Sequence, residues 1–408
     1  MMKQKLFTLA VVSTFIFSVP SSAQDLVQWR GSDRSGIYDE TGLLKEWPLE
    51  GPKLLWNYDG LDKGYSTVTI VNDKIYTTSE TEGTGYIFAL NMQGALLWKV
   101  EYGKEWNDAF PAARPTPVYY KGNLYLATGF GEALCLNAET GKKVWSVDMK
   151  AKFGARIPKF GFVEAPVIHD DKVYFTPGGE NVTMVTLNPN TGETIWESKA
   201  TGEEASYCSP LLYTYKDKKY IATSLTGNVI GMDASDGTFL WKIPQINTYN
   251  IHANTPLYKD GCIFNLTGYK GGGVMLKLSD DGKTVTELWR NTTLDNQMGG
   301  AIWIDNHLIG SGHENDRNWQ CLDAKTGLVL FKSNAIGKGA VIYADGLFYC
   351  YSETGELGIM ELGDSGFVLK SKFRIQLGSE QHWAHPVIHN GILYIRHGRT
   401  LMAYSIKK

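Results

Sequence analysis

The stretch PVYYKGNLYLATGFGEALCLNAETGKKVW, from Pro117 to Trp145, decides the fold. An apolar run meets the turn Lys121-Gly122-Asn123 and continues as the alternating run Leu124–Thr128, which predicts two strands joined as a hairpin. A third apolar strand follows, then the turn Asn137–Gly141, then a fourth strand that carries Trp145. The stretch therefore predicts one antiparallel unit of four strands.

The turn and the aromatic residue after it recur along the whole chain. In each turn an Asn, Asp or Ser side chain can bond the turn backbone and a Gly supplies a positive φ. Seven fourth strands are marked in this way, by Trp98, Trp145, Trp196, Trp241, Trp289, Phe331 and Phe373. Counted from Trp56, the intervals are 42, 47, 51, 45, 48, 42 and 42 residues, which is the length of one four-stranded propeller blade.

The last repeat, from Pro386 to Tyr404, has three strands and then stops. We predict that its fourth strand is the N-terminal segment Leu54–Asn57, which contains Trp56. Pairing strands from both ends of the chain removes the exposed edges that an open sheet would leave. The sequence therefore predicts an all-β fold, in which residues 24–408 form a single eight-bladed β-propeller of four-stranded antiparallel blades, the last blade being closed by the N-terminal strand.

The first 23 residues have the pattern of a secretory signal peptide. Lys3 and Lys5 precede an apolar run from Leu6 to Val19, and the small residues Ser21-Ser22-Ala23 follow it. The run is too short to span a bilayer, and no later segment is apolar enough to do so. We expect an exported protein, periplasmic or extracellular, that is soluble and has no transmembrane segment.

Composition narrows the possible partners. The net charge is −3 and no run of basic residues is present, so the electrostatic footprint of a nucleic-acid binder is missing. We therefore expect no nucleic acid among the partners, and a monomer. The five cysteines are widely spaced within apolar runs, which indicates buried small side chains rather than a disulfide framework.

The repeated turn, Asn/Asp-x-x-Thr/Asp-Gly with Trp four residues later, resembles the tryptophan-docking motif of pyrroloquinoline-quinone (PQQ) repeat β-propellers, in the quinoprotein alcohol dehydrogenase-like superfamily. The resemblance covers nearly the whole chain after residue 23. The opening Gln28-Trp29-Arg30-Gly31 also looks like the start of exported propellers of this family, and we predict a short segment packed over the ring. Similar propellers serve as quinoprotein dehydrogenases and as scaffolds in bacterial outer-membrane barrel assembly, so the fold does not decide the chemistry.

The inner strands of a propeller line its central channel, and ligands are expected at the channel face. We aligned the eight inner strands on their first residues, which are Pro in five blades. The residues just before them differ in chemistry from blade to blade: Tyr65-Ser66, Arg114, Glu164, Tyr207, Asn254, Gly299-Gly300, Lys338 and Trp383-Ala384-His385. Repeats should look alike, so this variation predicts a ligand site at the channel mouth.

The resemblance implies roles for some of these residues. In quinoprotein dehydrogenases a Glu and an Asn hold calcium, an Asp acts as base, and Arg or Lys contacts the quinone. Arg114, Glu164, Asn254, Asp295 and Lys338 are similar in order and spacing to that set. The resemblance thus implies a calcium site of Glu164, Asn254 and Asp295, a catalytic Asp295, and PQQ contacts from Arg114 and Lys338. Tyr207 and Trp383, at the same channel mouth, are two further candidates for cofactor binding. The chain departs from the family because it has no adjacent cysteine pair.

Two further clusters carry polar chemistry. His313-Glu314-Asn315-Asp316-Arg317 lies in a predicted loop of the sixth blade and has side chains that ligate metals or contact sugars. Gln381-His382-Trp383-Ala384-His385 leads into the last blade. It suggests His385 as a catalytic general base beside Trp383 as a stacking platform, the arrangement of a carbohydrate-active site. In both clusters, a solvated loop or packing between blades explains the same residues.

Four functions remain open from the sequence. The protein binds a small polar ligand, a carbohydrate or a protein partner on its channel face; or it is a PQQ- and calcium-dependent alcohol or sugar dehydrogenase; or it is a non-enzymatic scaffold; or it is a carbohydrate-active protein. If it is an enzyme, we expect an oxidoreductase of the PQQ-dependent kind. Cofactor chemistry separates the first two, and a large apolar patch on one face would indicate the scaffold.

Overall fold

The computed structural model describes residues 27–408, so the predicted signal peptide lies outside the described residues. Eight sheets form a closed ring, as predicted. Two strands precede the first complete blade, β1 (Ile37–Tyr38) and β2 (Lys53–Tyr58). Blades 1 and 2 then contain β3 (Thr69–Val71), β4 (Lys74–Thr81), β5 (Thr84–Asn91), β6 (Leu96–Lys104), β7 (Val118–Tyr120), β8 (Asn123–Ala127), β9 (Glu132–Asn137) and β10 (Lys143–Asp148).

A short helix, α1 (Met149–Phe153), follows blade 2. Blades 3 to 5 contain β11 (Val167–His169), β12 (Lys172–Phe175), β13 (Val182–Leu187), β14 (Thr194–Lys199), β15 (Leu211–Tyr215), β16 (Lys218–Ser224), β17 (Asn228–Asp233), β18 (Phe239–Pro244), β19 (Leu257–Lys259), β20 (Cys262–Thr267), β21 (Gly272–Leu278) and β22 (Val285–Asn291). Blades 6 to 8 contain β23 (Ile302–Ile304), β24 (His307–Ser311), β25 (Trp319–Asp323), β26 (Val329–Ser333), β27 (Gly339–Ala344), β28 (Leu347–Ser352), β29 (Glu356–Gly363), β30 (Gly366–Arg374), β31 (Val387–His389), β32 (Ile392–His397) and β33 (Thr400–Ser405).

The ring is closed by the N-terminal strand, as the sequence predicts. Strand β2 pairs antiparallel with β33, with Trp56 opposite Ala403 and Tyr58 opposite Leu401. Strand β1 adds a fifth strand to blade 7 by pairing parallel with β27. Both ends of the described chain are therefore held in the ring.

Neighbouring blades are joined by the docking aromatic residues. Trp145 of blade 2 is 8% exposed, and its indole N–H donates to the carbonyl of Pro189 in the turn of blade 3 at 2.7 Å. Gly192 of that turn has φ +72, and a Cβ added there would lie 2.9 Å from the Trp145 ring. A glycine is needed at this position because of both the positive φ and the close approach.

The outer strand of every blade contains a bulge. In blade 2, Lys143 pairs with Leu136 and Trp145 with Cys135, so Val144 is an extra, unpaired residue. The same irregularity occurs in the outer strands of the other seven blades, at Leu55, Leu97, Ile195, Leu240, Leu288, Leu330 and Lys370. A bulge on an edge strand bends it and weakens its ability to pair with another sheet, so the bulges protect the rim of the propeller.

Blade 7 differs from the other blades in strand register. Its bulge at Lys370 places Ser371 at the register position that Trp145 has in blade 2. Phe373 still packs on the next blade as predicted, because a Cβ added at Gly51, just before β2, would lie 2.5 Å from its ring. Trp47, from the segment before β2, packs above Ser371: its backbone N–H donates to Ser371 Oγ and its ring lies 6.0 Å from Tyr349. In blade 2 the docking Trp145 lies at the same 6.0 Å from Tyr125. Two aromatic rings therefore fill the docking space of blade 7, Phe373 from its own outer strand and Trp47 from another part of the chain, and they lie 5.5 Å apart.

Candidate functional site

The N-terminal segment fills the channel and forms the floor of the site. Val27 accepts a hydrogen bond from Tyr119 N in the inner strand of blade 2. Between Val27 and β1 the segment places two buried arginines, Arg30 and Arg34, each 3% exposed. The segment predicted to pack over the ring therefore lies inside it.

The two arginines connect opposite sides of the ring. Arg30 donates to the carbonyls of Gly299, Ala301 and Val341, in blades 6 and 7. Arg34 donates to the carbonyls of Ala165 and Pro166 in blade 3 and Pro210 in blade 4. Burial lowers the pKa of each guanidinium to about 10, so both remain charged at neutral pH.

Above this floor lies a cavity of about 270 Å³. Seven of its lining side chains are aromatic and come from blades 1 to 5 and 8, the connecting loops and the N-terminal segment: Trp29, Tyr65, Phe110, Phe160, Tyr207, Tyr269 and Trp383. The remaining lining residues are Arg114, Thr116, Val163, Ala165, Ser209, Ile251, Ala253, Gln297, Met298 and His385. Four residues predicted for the site thus meet here: Arg114, Tyr207, Trp383 and His385.

The cavity-facing positions follow the alternation of an extended chain. Counted from the inner-strand Pro, the third and first residues before it line the cavity in blades 2, 3, 4 and 8: Arg114 and Thr116, Val163 and Ala165, Tyr207 and Ser209, Trp383 and His385. The second residue before it points away, because successive side chains alternate in extended backbone. Glu164 and Asn254 occupy this second position, and neither lines the cavity.

One side of the cavity is a continuous aromatic wall. The Trp383 ring lies 4.8 Å from Tyr65 and 5.4 Å from Phe110. Phe160 lies 6.2 Å from Phe110 and 6.1 Å from Tyr207. Phe110 is 48% exposed and stands at the rim. These rings offer apolar faces to a ligand at spacings typical of interacting aromatic pairs.

Arg114 holds two loops of this wall together. Its guanidinium donates to the carbonyls of Ala109 and Phe110 at 3.3 and 2.6 Å, and to that of Phe160 in the next connecting loop. Burial lowers its pKa, while the Glu105 carboxylate, Tyr65 and Tyr207 raise it. Arg114 therefore positions Phe110 and Phe160 and brings a positive charge to the cavity.

The opposite side is polar. Gln297 donates to the Tyr269 hydroxyl at 2.7 Å and accepts from Lys338 Nζ at 3.3 Å. Lys338, predicted to contact a quinone, does not line the cavity itself; it forms an ion pair with Glu353. The His313 ring lies 4.9 Å from Tyr269 in an edge-on contact. The cavity thus combines aromatic faces on one side with hydrogen-bonding groups on the other.

His385 lies at the bottom of the cavity with both ring nitrogens used. Arg30 donates to Nδ1 at 3.2 Å, and Nε2 lies 2.8 Å from the Met298 carbonyl oxygen. A guanidinium only donates and a carbonyl only accepts, so His385 is neutral with its proton on Nε2. Burial, with the nearby Arg30 charge, lowers its pKa to about 3. This arrangement does not favour the predicted role as a general base.

Asp295, Glu164 and Asn254 do not fit a calcium ion in the arrangement present. Asp295 is fully buried, and its oxygens accept four backbone N–H bonds, from Lys270, His313, Glu314 and Asn315. One Glu164 oxygen accepts from Thr176 N, and Asn254 Oδ1 accepts from Gly300 N. No group of three or more His, Cys, Asp and Glu side chains is placed to hold a metal within residues 27–408. We derive no step through calcium or PQQ, and the predicted site stays a prediction.

Asp295 and Glu164 instead have structural surroundings. Asp295 fixes the loop 312–318, which explains why the cluster His313–Arg317 sits beside the cavity. Burial raises the pKa of Glu164 to about 7, against the opposing effects of its Thr176 hydrogen bonds and the Arg34 charge. Glu164 therefore lies beside the buried charge of Arg34, on the far side of the strand from the cavity.

Sequence reasoning missed Trp29, Phe110, Phe160 and Tyr269 as cavity residues. Phe110 and Phe160 lie in connecting loops of different lengths, where the repeat gives no alignment. The sequence feature that could have revealed Phe110 and Phe160 is an apolar aromatic residue in a loop, where polar residues are usual.

A family model described as outer membrane protein assembly factor BamB matches residues 83–333, more than half of the chain. BamB of Yersinia pestis is 20% identical over 319 residues, covering 73% of this chain and 75% of that protein. The quinoprotein alcohol dehydrogenase PedH of Pseudomonas putida is 24% identical over 231 residues, covering 55% of this chain and 36% of that protein. The chain spans 36% and 52% of the lengths of PedH and of a polyvinylalcohol dehydrogenase of Sphingopyxis.

Solved structures of both kinds share the fold. A europium-containing methanol dehydrogenase superposes with a TM-score of 0.68 at 13% identity, over 92% of this chain and 90% of that one. BamB from Moraxella catarrhalis superposes with a TM-score of 0.63 at 14% identity, over 87% and 99%. Within residues 27–408 no helix has the length and apolar character needed to cross a membrane. The repeats, the closed ring and the match over residues 83–333 together show that the chain belongs to the PQQ-repeat propeller family described as outer membrane protein assembly factor BamB.

Proposed function

We propose that this protein is an exported binding protein whose channel face takes a small polar ligand with an apolar ring face, and that a carbohydrate is the chemical class that fits best. The observation that carries the proposal is the cavity itself, which seven aromatic side chains line together with hydrogen-bonding groups. A sugar ring has C–H faces that pack on aromatic rings and hydroxyl edges that need donors and acceptors.

The polar groups of the cavity are positioned to hydrogen-bond the hydroxyl edges of a sugar ring. Arg114 supplies a positively charged donor beside the aromatic wall, and Gln297 supplies an amide on the opposite side. The cavity of about 270 Å³ is at the low end of small-molecule sites, which suits one or two rings. Because the N-terminal segment fills the channel below, the ligand enters from the open face.

A sugar panel tests the proposal by thermal unfolding. At 100 times its dissociation constant, a ligand that binds only the folded protein stabilises it by about 2.7 kcal/mol. We expect one class of mono- or disaccharide to raise the melting temperature of the parent protein and of Leu97→Ala, an exposed substitution on the outer strand of blade 1. Trp383→Ala removes the largest ring of the aromatic wall, between Tyr65 and Phe110, and should abolish the shift.

The same measurement separates the alternatives. A shift given by PQQ with calcium and lost in Glu164→Ala would support the quinoprotein prediction and overturn the carbohydrate proposal. The absence of a shift with every sugar would also overturn it, and would favour the scaffold function that the relatives named BamB suggest. Phe110, Ile246 and Tyr249 are 48, 70 and 60% exposed, so apolar side chains for a protein contact stand on the surface of the chain.

A further inference from the structure

One wall of the cavity depends on a histidine outside it, His397 at the end of β32. His397 is 8% exposed. Its Nδ1 lies 2.8 Å from the carbonyl oxygen of Leu377, and its Nε2 lies 2.9 Å from that of Glu380. Backbone carbonyls only accept hydrogen bonds, so both contacts are satisfied together only when both ring nitrogens carry protons. The geometry therefore matches the imidazolium form.

The segment 377–380 is wrapped tightly around this ring. Ser379 N donates back to the carbonyl of His397 at 3.4 Å. Gly378 has φ +92, and a Cβ there would lie 2.8 Å from His397 Cβ and Cγ. Glu380 has φ +73, an unfavourable conformation for a residue with a side chain. The hydrogen bond that Glu380 accepts from Nε2 offsets the cost of this conformation.

The groups packed against His397 leave its charge tolerable. The His382 ring stacks on it at 3.6 Å with an interplanar angle of 18°, and His382 Nδ1 lies 2.5 Å from the Tyr351 hydroxyl. Burial, together with the charges of His397 and Arg374, lowers the pKa of His382 to about 4, so His382 is neutral at pH 5 and above. Glu380, whose carbonyl faces Nε2, also brings a carboxylate on the wrapped segment.

The wrapped segment leads directly into the cavity wall. Gln381 accepts a hydrogen bond from the Tyr65 hydroxyl, and Trp383 lies 4.8 Å from the Tyr65 ring. Both Tyr65 and Trp383 line the cavity. A change in how residues 377–380 are held is therefore transmitted over a few residues to Trp383 in the aromatic wall.

We propose that His397 is a positioning residue of the cavity: as an imidazolium it clamps residues 377–380 and so fixes Trp383, and loss of its proton releases one of the two carbonyls and loosens this wall. The wall is thus held more firmly while the ring carries both protons than after it has lost one. The link to ligand binding rests on the proposed function; the link between His397 and residues 377–383 does not.

Amide hydrogen exchange of the full, unliganded chain tests the clamp. After correction for the intrinsic pH dependence of exchange, protection of residues 377–383 should be at least fivefold greater at pH 5.5 than at pH 8.0. In His397→Gln, protection should be low and equal at the two pH values, because Gln has no titrating group. The matched control His307→Gln, at the start of β24 in blade 6, should keep the pH dependence of the parent protein.

A second measurement keeps the proposal testable if His397→Gln does not fold. With ¹⁵N-labelled histidine, the parent protein at pH 5.5 should show two ring N–H signals for His397 and none of that pattern for His382. A neutral His397 at pH 5.5, or protection of 377–383 that does not change with pH, would overturn the proposal. Failure of every sugar to bind would instead overturn the proposed function and leave the clamp standing.

Discussion

The outer strands of this propeller repeat one arrangement in every blade, whereas the residues at its channel mouth differ from blade to blade. Around the rim, all eight blades carry the same bulge one residue before the docking position, and most place an aromatic ring beneath the turn of the next blade. At the mouth, the third residue before the inner strand is Arg114 in blade 2, Val163 in blade 3, Tyr207 in blade 4 and Trp383 in blade 8. Packing between blades is one repeated requirement, whereas a ligand needs different groups at different places.

The repeated positions at the rim therefore stabilise the fold, whereas the varied positions at the channel mouth determine which ligand is bound. Where the register shifts at the rim, another part of the chain fills the space: in blade 7 Trp47 packs above Ser371 and beside Phe373. At the channel mouth the residues remain different from blade to blade. Substitutions at the rim should therefore affect stability more than substitutions at the mouth.

The largest loss should come from the rim. Trp145→Ala removes a buried ring and its hydrogen bond to Pro189, and should lower the free energy of unfolding by about 3–5 kcal/mol. Its neighbour Val144 is the unpaired bulge residue and 49% exposed, so Val144→Thr should change stability by about 0.5 kcal/mol or less. Urea unfolding monitored by far-UV circular dichroism measures both. Equal effects of the two substitutions would contradict the docking role.

A somewhat smaller loss should come from the channel. Arg30→Met removes a buried donor from the carbonyls of Gly299, Ala301 and Val341, of which Gly299 keeps its bond from Val341 N, and should cost about 2–4 kcal/mol. The same urea experiment measures it. A variant as stable as the parent protein would show that the N-terminal segment is not a structural part of the ring.

His385 should give the smallest effect, visible only as a pH dependence. Its folded pKa of about 3 lies below the unfolded value of about 6.5, so its contribution is complete above pH 6.5. As the pH falls from 6.5 towards 3, the unfolded state gains the proton first, and stability decreases by about 1.4 kcal/mol per pH unit. His385→Gln removes this dependence, so the free energy of unfolding of the parent protein, measured relative to that of His385→Gln, should fall by about 2 kcal/mol between pH 7 and pH 5.

An unchanged difference between His385→Gln and the parent protein at the two pH values would mean that His385 takes up a proton without penalty. It would then be available for the proton transfer that its contacts with Arg30 and Met298 otherwise prevent. Comparing the difference between the two proteins matters, because Glu164, whose pKa burial raises to about 7, contributes with the opposite sign.

The fold was predictable because the same sequence pattern recurs from blade to blade. Turn, docking aromatic and interval recur, and the incomplete last repeat predicts the pairing of Trp56 with the final strand, which the structure confirms. Phe373 of blade 7 packs on Gly51 of the next blade as predicted. The second ring of that blade was not predictable, since a bulge at Lys370 shifts the register and only the folded chain brings Trp47 beside Phe373.

The site was predictable in part. Arg114, Tyr207, Trp383 and His385 meet in one cavity, because the inner strands converge on the channel mouth. Glu164 and Asn254 were predicted to lie with them because the alignment of inner strands located the channel mouth. It did not show which side chains of the extended segment face the cavity. The resemblance to dehydrogenases favoured these two residues by chemistry, whereas the extended backbone turns them away from the cavity.

The most direct test of the account compares two adjacent residues, Val163 and Glu164, for binding of the sugar found by the thermal screen. Val163→Trp adds bulk to a cavity-facing position and should lower the affinity at least 100-fold in isothermal titration, with little change in melting temperature. Glu164→Gln alters the residue that points away and should leave the affinity within about twofold of the parent protein. Loss of binding in Glu164→Gln with full binding in Val163→Trp would contradict the cavity as the site.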